Sequence, residues 1–446
     1  MKHFAKKHIG LIIIIIIVIM FPAGLSNQAK LNMRTIVTGL AIDKSNDEYE
    51  VTAQIVKTIS GTESSGIGAE IEFISDKAKT ISKALAKLLY KAGKVSAFSH
   101  TNFIILGGDI LKEDATDCLD IFMRDKIIKN SALILFSKEK ASDEIKKTKN
   151  LELSVGLGLQ KVFSFKQEES EGLMMTVLDF LVENNNYGRT SVASVFELQE
   201  NKENSSGSGS SGSSESSGSS SSGSSESSGS GSSGSSESSG SSSSGSSESG
   251  GGISSDSQSS SGGDKNSKVN FNPNAPLNCF VDGKFAFEIS EEDELLAYMI
   301  THKRTKISYI EIDDIKIESL KNTIISIVIR DKSIHKKIRF ENEIPCLDLK
   351  ININEAEINE VISGYEFNHF SEEEYESIKE SLKNKISESI GKLFEKGKSK
   401  NADIFMAYKQ AYRYNYSDLT KYYKNHTEFL NKLKLNVEIN IRNMEN

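Results

Sequence analysis

The chain has 446 residues, with 54 Lys and Arg against 62 Asp and Glu, and a formal net charge of −8. With no basic excess, the composition argues against a nucleic-acid-binding protein. Three cysteines (Cys118, Cys279 and Cys346), an odd number without CxxC spacing, exclude a disulfide framework and a cysteine-based zinc site.

The N-terminus is typical of an export signal or of a single membrane anchor. Three lysines within the first seven residues precede an uncharged stretch from Ile9 to Leu25. The sequence Gly24-Leu25-Ser26 comes nearest to a cleavage site, and we predict an uncleaved anchor in residues 1–25 in preference to a cleaved signal. Residues 30–446 are then expected outside the cytoplasmic membrane.

Residues 26–204 are predicted to form an N-terminal α/β body. The β-branched runs Arg34–Asp43 and Glu48–Thr58 flank a polar turn and therefore indicate a hairpin. We expect Ser75 to cap the helix that follows, and Phe98–Leu106 to form a strand. Further predicted elements are helices containing Ala115–Phe122 and Met174–Val182 and strands at Ser131–Phe136 and Ser191–Leu198.

Two patterns in this body resemble catalytic motifs only superficially. The glycine-rich loop of residues 60–70 lacks the Gly-Lys-Ser/Thr of a phosphate loop. Ser99, His100 and Asp109 are the side-chain types of a hydrolase triad, but Ser99 and His100 adjoin in a predicted strand and would point to opposite faces. The histidines do not fall at metal-ligand spacing. We therefore predict no catalytic residues, no metal site and no cofactor.

From Ser205 to Gly263, 59 residues are almost all Ser or Gly, with a GSSES unit recurring every 11 residues. Such a sequence cannot bury enough apolar surface to offset chain entropy, so residues 205–268 are predicted to be a disordered linker. Its random-coil span would be about 40–45 Å, and we expect the C-terminal body to move freely relative to the first. A plain spacer and a display of hydroxyls for glycosylation are both open interpretations.

Residues 269–446 are predicted to form a C-terminal α+β body with antiparallel strands and a long helix, which makes the fold class α+β. Leu277–Val281 and Phe285–Ile289 flank the turn of a hairpin. Ser371 and Glu374 form a capping box for the long helix. The other predicted features are strands within Lys306–Ile317, Asn322–Arg330 and Leu347–Ile353, a helix end at Gly397, and a half-buried final strand at Leu433–Ile441.

A tyrosine-rich segment, ADIFMAYKQAYRYNYSDLTKYY, precedes the final strand. On a helix, Phe405, Tyr408, Ala411 and Tyr412 share one face, which indicates ordinary core packing. The alternative is that these aromatics and the neighbouring basic residues stack on bases or line a glycan groove.

Several stretches, taken in order, resemble one known family. They are RTIVTGLAID, SHTNFIILGGDILKED, FMRDKIIK, FVDGKFAFEISEEDELLAYMI and ADIFMAYKQAYR, followed by the alternating terminal strand. Together they are similar to the Ger(x)C family, the C subunits of spore nutrient-germinant receptors. The resemblance implies a non-enzymatic protein on the outer face of the spore inner membrane, in which the N-terminal part divides into further domains. It would work with an integral membrane subunit and a transporter-like membrane subunit, and would contact the small-molecule nutrient only indirectly.

Two features depart from the family pattern. Members usually carry a Gly-Cys-Trp lipobox, whereas here Leu25 occupies the cysteine position, so no lipid can be attached there and residues 1–25 would have to anchor the chain. The second departure is the Ser/Gly tract, which falls where the family chain enters its C-terminal domain. The alternatives to a receptor subunit are a surface-tethered module that binds cell-wall glycan and, less favoured, an extracytoplasmic hydrolase.

Overall fold

The described part of the chain comes from a computed structural model. It comprises residues 34–59, 68–92, 95–125, 128–150, 159, 163–164, 172–200, 269–271, 275–303, 305, 307–313, 315, 318–320, 323–362 and 370–445. The predicted anchor, loop residues 60–67 and the Ser/Gly tract lie outside it. Among the residues it includes, no helix is both long enough and apolar enough to cross a bilayer.

The first body is built on a mixed sheet. Its described strands are β1 (Arg34–Ser45), β2 (Glu48–Ile59), β3 (Gly68–Ala78), β4 (Val95–Ala97), β5 (Phe103–Leu106) and β6 (Leu133–Phe136), in the order β3-β2-β1-β5-β6 with β4 also on β1. β1, β2 and β3 are antiparallel, which confirms the predicted hairpin. β4 and β5 run parallel to β1, and β6 runs parallel to β5. Every residue of β5 and β6 is buried, which is typical of strands that are covered on both faces of the sheet.

The helices of this body are α1 (Ile81–Ala92), α2 (Ala115–Asp125), α3 (Ala141–Lys147) and α4 (Val177–Asn184). The prediction that Ser75 caps α1 is wrong, because Ser75 lies within β3 and its hydroxyl pairs with that of Thr52 at 2.8 Å. The predicted strand from Phe98 is also too long. Residues 98–100 form a 3₁₀ turn in which the Thr101 N–H bonds to the Phe98 carbonyl, and the strand begins only at Phe103.

The Ser/Gly tract connects segments that pair with each other. The strands around it are β7 (Thr190–Ser194), β8 (Leu198–Glu200), β9 (Val269–Phe271), β10 (Leu277–Val281) and β11 (Lys284–Ile289). β8 pairs with β9, and β7 pairs antiparallel with β10, which forms the predicted hairpin with β11. One three-stranded sheet therefore takes strands from both bodies. The expectation of a freely moving C-terminal body is wrong, since the described residues flanking the tract form one compact unit.

The second body is a four-stranded sheet with helices. Its described strands are β12 (Ser308–Ile312), β13 (Ile324–Glu341), β14 (Ile344–Ile362) and β15 (Lys434–Glu445), in sequence order. β12, β13 and β14 are antiparallel to one another, as predicted. β15 instead runs parallel to β14, so the predicted antiparallel meander does not extend to the last strand. Intermediate and exposed positions alternate along most of β15, which confirms its half-buried character.

The helices of the second body are α5 (Glu292–Thr301), α6 (Glu372–Ser399), α7 (Ala407–Tyr414), α8 (Tyr416–Tyr422) and α9 (His426–Lys432). α6 carries the predicted capping box of Ser371 and Glu374. It ends at Ser399, just past Gly397, whose carbonyl accepts the N–H groups of Lys400 and Ala402. With helices and strands in both bodies, the α+β fold class is confirmed.

Candidate functional site at the junction of the two bodies

The turn between β10 and β11 docks on the first body through its backbone. Asp282 and Gly283 both have positive φ, as a two-residue hairpin turn requires. The Gly283 N–H donates to Oδ1 of Asn184, and its carbonyl accepts the N–H of Ala115 at the start of α2. A Cβ at Gly283 would lie 1.9 Å from Oδ1 of Asp114. Only glycine therefore fits this contact.

A second contact joins the turn before β7 to the loop before α7. The hydroxyl of Thr190 donates to the Gly188 carbonyl at 2.8 Å and accepts the Asp403 N–H at 2.9 Å. The carboxylate of Asp403 accepts the N–H groups of Ala407 at 2.6 Å and Tyr408 at 2.9 Å. Asp403 thus satisfies otherwise unpaired donors at the start of α7 while its own backbone is held by the first body.

Asp403 is a buried acid, with 3 % of its surface exposed. Burial raises its pKa to about 6, although the hydrogen bonds from Ala407 and Tyr408 and the charge of Lys336 favour the ionised form. Ionisation of Asp403 therefore costs free energy at neutral pH, and the N–H groups of Ala407 and Tyr408 offset part of that cost.

His426, the first residue of α9, lies on the same side of the junction. Its ring packs edge-on against Tyr408 with centroids 5.0 Å apart, and its Nε2 is buried with no hydrogen-bond partner among the described residues. Burial lowers its pKa to about 4; Asp282 opposes this shift and Arg189 adds to it. Arg189 and Asp282 themselves form an ion pair of 3.1 Å. A neutral imidazole thus faces a salt bridge between the two bodies.

The junction is bordered by stacked tyrosines. The ring of Tyr187 stacks on that of Tyr412, with centroids 3.4 Å apart, and Tyr412 contacts Tyr416 edge-on at 5.0 Å. Tyr187, Tyr414 and Tyr416 remain 49 %, 76 % and 54 % exposed. The predicted core face is thus confirmed for Phe405 and Ala411, which are buried. Tyr412, by contrast, packs against the first body, next to exposed rings.

The residues considered for a hydrolase triad are not brought together. Ser99 and His100 lie exposed in the 3₁₀ turn before β5, so the reason given against them, opposite faces of a strand, was wrong. Asp109 accepts a hydrogen bond from Lys112 at 2.8 Å. The cysteines Cys118, Cys279 and Cys346 are buried free thiols, and no group of three potential metal ligands occurs within the described ranges.

Sequence reasoning missed Asp403 and His426, two buried titratable groups of the junction. A signal existed for Asp403, because an aspartate shortly before a helical stripe is a common capping residue. A lone histidine carries no such signal. The junction joins the two bodies through backbone contacts and buried polar side chains.

Comparisons with known proteins agree with this two-part organisation. Residues 27–198 match the family described as "Spore germination protein N-terminal domain", and residues 278–445 match "Spore germination B3/GerAC like, C-terminal". A spore germination protein of Bacillus subtilis (strain 168), YfkR, is 28 % identical over 144 residues, which cover 31 % of this chain and 38 % of that relative. A crystal structure of the GerBC protein covers 91 % of this chain and 97 % of its own, with 13 % identity and a TM-score of 0.47.

Proposed function

Because the chain belongs to the Ger(x)C family of spore germination receptor subunits, we propose that it is a non-enzymatic, membrane-anchored receptor subunit that acts through protein contacts. Its partners are two membrane subunits of a nutrient-germinant receptor. The observation that carries this proposal is the match of both family domains, in order, on the two sides of the Ser/Gly tract.

The junction supports a role in transmitting contacts. A change at one body can reach the other only through physical contacts, and here β7 and β10 share a sheet while Thr190 and Asp403 share a hydrogen bond.

The proposal is tested by deleting the gene and measuring the response of spores to nutrients. We expect a lost or slower response that the intact gene restores, and co-purification of the two membrane subunits with the tagged chain. Normal germination together with the absence of co-purifying membrane subunits would reject the proposal.

Membrane anchoring is a separate part of the proposal and has its own test. It rests on the apolar run from Ile9 to Leu25, since no cysteine is available for a lipid at position 25. Full-length protein should sediment with membranes and resist salt extraction, whereas a chain beginning at residue 26, exported with a cleavable signal, should be released. Equal sedimentation of both forms would contradict the anchor.

A second candidate function is a module that binds cell-wall glycan, favoured by the exposed tyrosines beside the junction. Aromatic rings stack on the apolar faces of sugars much as they stack on one another. Replacing Tyr414 and Tyr416 by Ala should abolish retention on purified peptidoglycan if this function is correct. Tyr90, 89 % exposed on α1, is the matched control. Absence of retention in the intact chain would reject the candidate.

A further inference from the structure

A cavity opens at one edge of the C-terminal sheet, beside β13. The pairing of β12 with β13 ends at Ser308 and Ile329, while β13 continues to Glu341. Beyond that point a cavity of about 280 Å³ lies between β13 and the segment that follows α5. Its lining residues are Lys303, Thr305, Lys332, Ser333 and Ile334.

Lys332 is the unusual member of this lining. From residue 332 onward, even-numbered positions of β13 face the core, where Ile334 and Ile338 are buried, so the Lys332 side chain leaves the strand on the apolar face. Its ammonium donates to the hydroxyls of Thr305 at 2.9 Å and Ser308 at 3.2 Å. An ammonium has three protons, so one donor is left for a further acceptor.

The lining of the cavity contains two lysines and no carboxylate. Lys303 is exposed, and neither it nor Lys332 forms an ion pair with any carboxylate in the described part of the chain. Burial alone lowers the pKa of Lys332 to about 8. Lys336 lies four residues further along β13, on the same face. Burial lowers its pKa to about 8; the charge of Lys303 adds to this lowering, and Asp403 opposes it. The buried ammonium of Lys332 and the exposed Lys303 line the same cavity, so an anion bound there would stabilise the charged form of Lys332.

We propose that this cavity binds a small oxyanion, a carboxylate or a phosphate, held between the ammonium groups of Lys303 and Lys332. The third proton of Lys332 is donated to an anion oxygen, while Thr305 and Ser308 hold the ammonium in position. Lys303 is exposed at the open side of the cavity, and its positive charge attracts the anion. The volume suits a ligand of a few heavy atoms and is below the usual size of a pocket for a drug-sized molecule. This site does not depend on the proposed receptor function.

Protection of Lys332 from an amine-acylating reagent tests the proposal. Full-length protein in neutral detergent is labelled near pH 8 in sodium phosphate, sodium succinate or sodium chloride of equal ionic strength, and peptides are quantified by mass spectrometry. For a Kd on the order of 1 mM, an anion at about ten times that concentration should slow labelling of Lys332 about tenfold. Lys112, whose side chain is 78 % exposed, reports general reactivity in the same sample and should not change. The phosphate and succinate arms identify which oxyanion binds.

Two variants of matched charge make the test specific. Lys303→Gln should reduce the protection severalfold without changing the melting temperature. Lys337→Gln removes the same charge from β13, but its side chain lies on the opposite, exposed face, so protection should be retained. Isothermal titration calorimetry should likewise show that the protecting anion binds Lys303→Gln more weakly than Lys337→Gln.

Three results would overturn the proposal. They are equal protection by chloride, equal loss in the two variants, and slow labelling of Lys332 in every buffer. The last result would mean that Lys332 serves only to tie Thr305 and Ser308 to the sheet.

Discussion

The backbone N–H of Asp403 donates a 2.9 Å hydrogen bond to the hydroxyl of Thr190, a residue 213 positions earlier in the chain. Both residues are buried. Because the bond crosses from one body to the other, its strength can be measured as the stability of the junction.

Thr190→Val keeps the shape of the side chain but removes its oxygen. The Asp403 N–H is then left buried without an acceptor, and we expect the free energy of unfolding to fall by about 1–3 kcal/mol in urea titration. Thr420→Val is the matched control, because the Thr420 hydroxyl is exposed on α8 and bonds only within its helix. Equal losses in the two variants would contradict a special role for Thr190.

Asp403 should make the protein more stable in mild acid. Its pKa is raised to about 6 in the folded chain from an ordinary 3.8, so its stabilising contribution is complete below 3.8 and is lost as pH rises through 6. Between pH 7 and pH 5 the wild type should gain about 1 kcal/mol relative to Asp403→Asn, which does not titrate. Parallel pH profiles of the two proteins would show that Asp403 is not the titrating group.

His426 should act in the opposite direction over the same pH range. Its pKa is lowered from 6.5 to about 4, so the unfolded chain takes up a proton that the folded chain refuses, and stability falls as pH drops below 6.5. From pH 7 to pH 5 the wild type should lose about 2 kcal/mol relative to His426→Phe, which keeps an aromatic contact with Tyr408. Chemical denaturation at several pH values measures this difference, and a variant with the wild-type profile would disprove it.

Gly283→Ala should weaken the docking of the β10–β11 turn. The new Cβ would lie 1.9 Å from Oδ1 of Asp114 at a φ of +76°, and we expect a loss of about 3 kcal/mol. Gly391→Ala is the control. That glycine lies within α6, and a methyl group added to it would meet no neighbouring atom within 4 Å, so the change should stabilise the helix by about 1 kcal/mol. Thermal unfolding of both variants should therefore give shifts of opposite sign.

Replacing Ser205–Gly263 by a few Gly and Ser residues should leave the fold intact. The pairing of β8 with β9 brings together the chain before and after the tract, and a shorter random-coil connection costs less closure entropy. The free energy of unfolding should rise by about 1–2 kcal/mol. Spores carrying the shortened chain should respond normally to nutrients if the tract is only a spacer. A lost response with unchanged stability would assign the tract a role of its own.

Local patterns in the sequence predicted much of the fold. The β1–β2 hairpin, the Asp282–Gly283 turn and the capping box of Ser371 depend on residues close together in the chain, so their signals survive without tertiary information. The pairing of β7 with β10 and the parallel placement of β15 join distant segments. Which strands pair depends on which of their faces can be buried together in the folded chain. The periodicity of one segment does not contain that information.

The candidate sites were less predictable for the same reason. Asp403, His426 and Lys332 are ordinary residues in the sequence, and their perturbed pKa values arise only because packing removes them from water. The tyrosine segment was partly predictable. Its helical face was correct for Phe405 and Ala411, but nothing local indicated that Tyr187 would stack on Tyr412.

The pairing of β8 with β9 bears on how this gene can evolve. The strands before and after the Ser/Gly sequence pair with each other, so gain or loss of one 11-residue unit changes the closure free energy of the connection by only about 0.2 kcal/mol. Changes in the number of units would therefore leave the stability of the fold almost unchanged. We expect related chains to differ in the number of repeats while keeping the residues of β8 and β9.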